Sequence, residues 1–167
     1  MGVCSGKLGM SAATVESMDH NKITQCLNDL LTKAYDAEEG FKQAAANAKS
    51  HPSLVSFFER QSNMRNAFGH ELKDAIHLYG GKPEKGSSLL AKAHQVWISV
   101  KGTLAPDHNG EAILEECIRG ETAAVKDYDE KLKCPDLPED VKALLRKQRG
   151  AIAASLVANE AKEKAAH

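Results

Sequence analysis

Apolar residues recur in alternating steps of four and three along four long segments of the chain, a spacing that keeps side chains on one face of an α-helix. In the first segment the residues on that face are Leu27, Leu31, Ala34, Glu38, Phe41 and Ala45. In the third they are Leu114, Ile118, Glu121, Val125, Tyr128 and Leu132. Each face contains one glutamate, and a buried carboxylate is costly unless it is ion-paired, hydrogen-bonded or bound to a metal. Two such helices predict a duplicated helical hairpin with a polar layer in its core.

The same rhythm and the helix-breaking residues define the predicted helix boundaries. Asp19 or Asn21 is suited to cap the first long helix, and Pro52 and Pro138 are suited to the first turn of the second and fourth. Gly80 is suited to end the second. Long helices are therefore expected at residues of about 19–49, 53–79, 111–133 and 139–162.

The connections predict how these helices are arranged. Short turns join the first helix to the second and the third to the fourth, so each pair is expected to form an antiparallel hairpin. The roughly thirty residues between the hairpins are enough to run the length of the bundle, and they include a predicted short helix at about 89–102 with Trp97. The predicted fold class is all-α, a ferritin-like antiparallel four-helix bundle with a long B–C crossover, from the second helix to the third, containing a short extra helix. We expect a single domain over residues 19–163, preceded by a disordered N-terminal tail at residues 1–18.

Composition excludes several classes of function. The 167-residue chain has 22 Lys plus Arg and 23 Asp plus Glu, so no charge excess attracts nucleic acid or an anionic membrane surface. No apolar run approaches the roughly 20 residues of a membrane span, and the N-terminus lacks the apolar segment of a secretory signal. The cysteines form neither a C-x-x-C pair nor a zinc-binding spacing, which favours free thiols in a reducing cytoplasm. Gly2 and Cys4 only partly match an acylation signal, because Gly6 stands where Ser or Thr is expected. A homo-oligomer and the identity of any protein partner are left open.

The positions that face the two glutamates bear on whether the core binds metal. In a di-metal bundle each facing helix supplies a Glu-x-x-His motif. Helical geometry places Glu38 level with about residue 64 and Glu121 level with about residue 151, and neither region offers a carboxylate or a histidine at the right depth. The pair Asp74-x-x-His77 lies about 15 Å further along the axis, too far to share a metal ion whose bonds are about 2 Å long.

Amides and a cation occupy the facing positions instead. Gln61 and Gln148 lie on the inward faces of the second and fourth helices, where amides can donate hydrogen bonds to carboxylates, and a guanidinium can offset their charge. The predicted core polar layer comprises Glu38, Gln61, Arg65, Glu121 and Gln148. If compensation in this layer is incomplete, one glutamate is expected to keep its proton near neutral pH.

A set of short motifs extends over residues 22–152. They are 27–30 (LNDL), 36–41 (DAEEGF), Phe68, Glu71-Leu72, 78–83 (LYGGKP), Gly86-Ser87, the Trp97 segment, 114–117 (LEEC), 119–121 (RGE), Tyr128, Leu137-Pro138 and Gln148. In these motifs and their order the chain resembles an uncharacterised, mostly bacterial family of the ferritin-like superfamily, known by a domain-of-unknown-function label. The resemblance implies the four-helix-bundle fold and carries no established reaction.

The chain departs from the pattern of that family at two places. Met64 stands where such sequences usually carry a glutamate, and 155–157 (SLV) replaces a His-Asp pair often found near the end of the fourth helix. Both changes remove potential metal ligands.

Three hypotheses of function follow. The favoured one is a non-catalytic bundle with a structural or stress-associated role, no catalytic residue, no expected cofactor and a degenerate di-metal site. The first alternative is an iron- or manganese-binding carboxylate protein, of oxidoreductase or metal-storage type, with ligands drawn from Glu38, Glu121, Glu71 and Glu116. The second is a protein-interaction module that binds through the Trp97 crossover helix.

Overall fold

The computed structural model describes residues 12–84 and 110–166, which form four α-helices and no β-strand. The helices are α1 (Ala12–Asn47), α2 (Pro52–Leu78), α3 (Gly110–Leu132) and α4 (Glu139–Ala166). Each corresponds to one predicted long helix, and Pro52 stands in the first turn of α2 as expected. The all-α fold class is confirmed. None of these helices, over its described residues, has the length and apolarity needed to cross a membrane.

The start of α1 differs from the prediction. The helix begins at Ala12, whereas the sequence analysis places its cap at Asp19 or Asn21 and a disordered tail at residues 1–18. Residues 12–18 are helical because the segment AATVESM contains no glycine or proline that would interrupt the helix. The remainder of the predicted tail lies outside the described residues.

Two glycines end α2 and place it against the start of α1. Gly80 adopts a φ of 72°, the left-handed conformation that commonly terminates helices. The Gly81 N–H then donates to the Ile76 carbonyl at 2.9 Å. A Cβ on Gly81 would lie only 2.5 Å from Thr24 Cγ2, so the close approach of the two helices requires a glycine at this position.

Asn28 of α1 holds the chain that leaves this turn. Its side-chain oxygen accepts a hydrogen bond from the Glu84 N–H at 2.9 Å, and its amide donates to the Lys82 carbonyl at 3.1 Å. The first residues after α2 are therefore tied to the N-terminal half of α1.

Ion pairs show that α1 and α3 are antiparallel. Lys33 contacts Asp127 at 2.5 Å, and Asp29, one helical turn earlier in α1, contacts Lys131, one turn later in α3. Because α2 is also antiparallel to α1, α2 and α3 run in the same direction. The connection between them joins opposite ends of the bundle, which confirms the ferritin-like topology. The predicted short helix with Trp97 lies outside the described residues.

The second pair of neighbours, α2 and α4, is antiparallel as well. The Tyr79 hydroxyl, just after α2, donates to Asp140 in the first turn of α4 at 2.8 Å, while Glu71 contacts Lys147 further along both helices. All four neighbouring helix pairs are therefore antiparallel.

Two apolar clusters fill the bundle, one toward each end. The larger cluster includes Leu27, Leu30, Leu31, Phe68, Leu72, Ile76, Tyr128, Val141, Leu145 and Ile152. The smaller includes Phe41, Ala44, Ala45, Ala48, Phe57, Phe58, Ile113, Leu114 and Cys117. Arg65 of α2 and Glu121 of α3 fall between the two sets in sequence and are themselves buried. The centre of the bundle is therefore polar.

Candidate functional site

Glu121 is the buried acid at the centre of the bundle. It lies on the inward face of α3, and its side chain is 2% exposed. The Ser155 hydroxyl donates to Oε1 at 2.5 Å, and the Asn159 amide donates to Oε2 at 2.6 Å. Both donors belong to α4, so each oxygen of the carboxylate is bound from the opposite helix of the same hairpin.

Arg65 of α2 supplies the positive charge that faces Glu121. Its Nη2 lies 3.5 Å from Glu121 Oε1, and its side chain is 3% exposed. The guanidinium lies over the rings of Phe41 and Phe68, at 5.8 and 5.7 Å from their centroids, distances at which a cation is attracted to an aromatic face. Its Nε is buried and has no hydrogen-bond partner in the described part of the chain. The guanidinium is thus held by rings and one carboxylate, with donor capacity left over.

Burial changes the titration of both partners. Burial raises the pKa of the Glu121 carboxyl above its ordinary value, although Ser155, Arg65 and Asn159 act in the opposite direction. Burial also lowers the pKa of Arg65, against the attraction of Glu121. The direction at Glu121 agrees with the expectation that incomplete compensation favours a protonated glutamate.

Gln148 belongs to a second polar cluster, nearer the turn between α3 and α4. It is fully buried, accepts a hydrogen bond from the Tyr128 hydroxyl at 2.7 Å and donates to Glu71 Oε2 at 2.9 Å. Lys147 also binds Glu71, which is partly exposed. Burial acts to raise the pKa of Glu71, but the hydrogen bonds from Gln148 and Lys147 and the charge of Lys147 outweigh it, and the pKa falls below its ordinary value.

The lowered pKa predicts that Glu71 contributes to stability at neutral pH and loses that contribution in acid. A carboxyl with a depressed folded pKa stabilises the fold above its unfolded pKa, and this effect disappears as the pH falls through the folded pKa. The free energy of unfolding of the native protein should therefore approach that of Glu71→Gln between neutral pH and about pH 3. Urea unfolding at several pH values measures the difference, and Glu59→Gln, at an exposed position of α2, controls for the loss of one negative charge. A difference that stays constant over this range would contradict the prediction.

Glu38 lies at the edge of the bundle rather than at its centre. Its side chain is 12% exposed, and Oε1 accepts hydrogen bonds from Lys42 at 2.6 Å and from Asn66 at 3.2 Å. Its backbone carbonyl accepts a hydrogen bond from Ser62, which agrees with the predicted level on α2. Gln61 is half-buried, and its Oε1 is buried without a hydrogen-bond partner among the described residues.

The structure does not bring the five predicted layer residues together. Of them, Arg65 and Glu121 form an ion pair. Glu38 and Gln148 bind other partners, and Gln61 Oε1 has no hydrogen-bond partner among the described residues. One cause is the register of α3 against α4. A turn centred near residue 136 predicts that Glu121 lies level with about residue 151, but it contacts Ser155 and Asn159, about one and two helical turns further along α4. Gln148 consequently faces Tyr128.

The sequence pattern did not identify Ser155 and Asn159 as partners of Glu121. The signal was present, because both are polar residues on the inward face of α4 and are buried there. Tyr128 was recognised as an inward residue, but its hydrogen bond to Gln148 was not anticipated.

The four carboxylates of the metal-binding hypothesis each contact a different cationic side chain. Glu38 contacts Lys42, Glu71 contacts Lys147, Glu116 contacts Arg119, and Glu121 contacts Arg65. Within residues 12–84 and 110–166 no cluster of three or more His, Cys, Asp or Glu side chains is suited to hold a metal ion. Asp74 and His77 are exposed. The donor set around Glu121, which consists of a guanidinium, a hydroxyl and an amide, does not fit a di-metal centre.

The described cysteines are free thiols in three different settings. Cys26 is half-buried, Cys117 is buried, and Cys134 is exposed. Burial raises the pKa of Cys117 well above its ordinary value, which keeps this thiol protonated and unreactive.

A cavity of about 250 Å³ opens beside the ion pair, between α1 and α3. Arg65 and Glu121 lie among its lining residues, together with small residues of both helices that include Gly40 and Gly120. Among the described residues, the ion pair at the centre of the bundle therefore borders a cavity.

The fold and the central ion pair define a ferritin-like helical bundle with a polar core. Two solved structures of Mycobacterium smegmatis proteins are similar in fold. One, of a Dps1 mutant, has a TM-score of 0.74 at 14% identity over 92% of this chain and 99% of that chain. The other, a tetragonal crystal form of Dps, has a TM-score of 0.72 at 15% identity over 97% of this chain and 94% of that chain.

The family model described as "Domain of unknown function (DUF2383)" matches residues 22–134. The chain belongs to this family, as the sequence motifs indicate. Comparison with curated proteins gives no significant match.

Proposed function

We propose that the protein is a non-catalytic ferritin-like bundle with a structural or stress-associated role, in which buried polar side chains replace a degenerate di-metal site. The observation that carries this proposal is the position of Arg65. Its guanidinium lies 3.5 Å from Glu121, the fully buried glutamate among the residues whose burial is described, where a metal ion would need carboxylate or imidazole ligands. A fixed positive charge at that distance opposes the binding of a metal cation.

The surroundings of Glu121 support the same proposal. Both of its oxygens already accept short hydrogen bonds from Ser155 and Asn159, so a metal would have to compete with those donors as well as with the guanidinium. Ser155 lies in the segment where the family often carries a His-Asp pair. Met64, which stands where a glutamate is usual, packs against the larger apolar cluster.

The proposal predicts that the protein holds no stoichiometric metal. Protein purified without chelators and without a metal-binding tag should contain neither iron nor manganese in proportion to its concentration by elemental analysis. Its melting temperature should not change when Fe²⁺ or Mn²⁺ is added under anaerobic conditions, because a ligand that does not bind the folded state does not stabilise it.

The competing metal-binding hypothesis predicts the opposite result. One or two equivalents of iron or manganese that are retained by the native protein, lost in Glu121→Ala or Glu38→Ala, and kept in Glu130→Ala would overturn the proposal. Glu130 is an exposed glutamate of α3 and serves as the matched control. The interaction-module hypothesis concerns Trp97, outside the described residues, and it stays a prediction, as does a homo-oligomeric state.

A further inference from the structure

The cavity between α1 and α3 exists because small residues face one another across it. Gly40 and Ala37 of α1 oppose Gly120 and Ala124 of α3, and none of these side chains is large enough to fill the space between the helices. A Cβ built on Gly120 would meet no other atom within 4 Å. Phe41 contributes an aromatic wall, and Arg65 lies at the inner side.

One buried donor among the residues that line this cavity, the Nε of Arg65, lacks an acceptor in the described part of the chain. Glu121 accepts one hydrogen bond on each oxygen, from Ser155 and from Asn159. Arg65 has five N–H groups, yet its Nε has no partner within residues 12–84 and 110–166, and its contact with Glu121 at 3.5 Å is long for a hydrogen bond. A buried donor without an acceptor costs free energy, so a bound molecule that supplies an acceptor would relieve that cost.

The acidic residues among the lining of the cavity are Asp36, Glu116, Glu121 and Asp127. The carboxylate of Asp127 is bound by Lys33 at 2.5 Å, and that of Glu116 pairs with Arg119. Arg65 itself would repel a cation at the inner side. Among the described lining residues, the buried side-chain atom without a hydrogen-bond partner is a donor, the Nε of Arg65, and apolar residues such as Phe41 lie beside it.

We propose that this cavity binds a small organic carboxylate, whose carboxylate group accepts hydrogen bonds from Arg65 and whose apolar body lies against Ala37, Phe41 and Ala124. The volume of about 250 Å³ suits such a molecule. An engineered cavity of about 150 Å³ binds benzene, so a cavity of this size has room for one ring and a carboxylate. Guanidinium–carboxylate pairing supplies direction, and the apolar walls supply hydrophobic contact.

Benzoate and butyrate are the probes that test the proposal, with benzyl alcohol as the neutral control for ring burial. Binding to the full-length protein is measured by ligand-detected NMR and by calorimetry, up to about 10 mM, ten times a millimolar dissociation constant. At least one of the two carboxylates should bind saturably. Benzyl alcohol should bind at least about tenfold more weakly than benzoate, because it lacks the charge-assisted hydrogen bonds.

A matched pair of glycine variants locates the site. Gly120→Leu places a side chain at the wall of the cavity, whereas Gly150→Leu places the same side chain at an exposed position of α4 with no atom within 4 Å of its Cβ. Carboxylate binding should weaken at least about tenfold in Gly120→Leu and stay unchanged in Gly150→Leu. Arg65→Met, if folded by circular dichroism, should lose the preference for benzoate over benzyl alcohol.

Three results would overturn the proposal. They are no saturable binding of either carboxylate, equal affinity in Gly120→Leu and the native protein, and equal affinity for benzoate and benzyl alcohol. Metal analysis is a separate measurement. If neither carboxylate binds, the proposal of a metal-free core is unaffected, because it is tested by the metal content of the purified protein.

Discussion

Glu121→Ala is expected to destabilise the protein by about 3–5 kcal/mol, the cost of removing one partner of a buried ion pair. The substitution leaves the Arg65 guanidinium without its carboxylate and removes the acceptor of the hydrogen bonds from Ser155 and Asn159. It also creates space where a buried side chain was packed. Thermal unfolding should show a decrease in Tm of about 6–20 °C for a chain of this size.

Two comparisons show whether the loss comes from burial and pairing. Glu130→Ala, at an exposed position of the same helix, should leave the Tm almost unchanged. Glu121→Gln keeps an acceptor for Ser155, and its new amide group can donate to Asn159 Oδ1, which is buried and has no hydrogen-bond partner in the part of the chain that the structure describes. A Tm for Glu121→Ala equal to that of Glu130→Ala would contradict the account.

The pH dependence of Glu121→Gln follows from the raised pKa of Glu121. A carboxyl whose folded pKa lies above its unfolded pKa binds more protons in the folded state, so its contribution to stability falls as the pH rises between the two values. The stability of the native protein relative to Glu121→Gln should therefore decrease as the pH rises from about 4.5.

Arg65→Met is expected to destabilise the protein by a similar amount, about 3–5 kcal/mol. This loss applies at pH values above the folded pKa of Glu121, because the substitution then leaves an ionised carboxylate buried without a cation. Methionine preserves much of the side-chain volume between Phe41 and Phe68. The loss of stability therefore comes from the missing charge more than from poorer packing. Without Arg65 the pKa of Glu121 should rise further. The loss of stability of Arg65→Met relative to the native protein should therefore grow as the pH increases.

Urea unfolding of Arg65→Met at acidic and alkaline pH measures this trend. Arg146→Met, at an exposed arginine of α4 that contacts Glu139, is the matched control and should show little change in either condition. A deficit for Arg65→Met that is small, or that decreases with rising pH, would show that Glu121 does not depend on the guanidinium.

The fold could be predicted because its information is local. The inward faces of the helices follow directly from the spacing of residues such as Leu27, Leu31 and Phe58, and all three are fully buried. Pro52 and Gly80 mark boundaries through their backbone geometry alone. The one clear error in helix extent, at the start of α1, arose because Ala12 to Met18 carry no apolar periodicity although nothing in them breaks a helix.

The candidate site was harder to predict because it depends on the register of one helix along the axis of its neighbour. An uncertainty of one helical turn, about 5.4 Å, exchanges one set of facing residues for another. A register error of this size led to the prediction that Gln148 lies in the same polar layer as Glu121, whereas Gln148 binds Tyr128 and Glu71. The pattern correctly places Ser155 and Asn159 as polar residues on the inward face of α4. Which of the inward residues faces Glu121 depends on the register of α4 against α3, and that register is set by tertiary packing.

Glu38 shows a second limit of pattern analysis. Its spacing places it on the apolar face of α1, as spacing places Glu121 on that of α3, yet the structure buries Glu121 and leaves Glu38 at the boundary with α2. Lys42, one turn along α1, and Asn66 on α2 offer Glu38 partners at the surface. A helical face is wide enough that a residue at its edge can reach solvent.

The most direct measurement of the central claim is an anomalous diffraction map from crystals grown with Mn²⁺, in which manganese identifies itself by its scattering. We expect the map to show the Arg65 guanidinium beside Glu121, Ser155 and Asn159 on the two carboxylate oxygens of Glu121, and no anomalous peak between the helices. A peak within coordination distance of Glu121, with the guanidinium displaced, would contradict it.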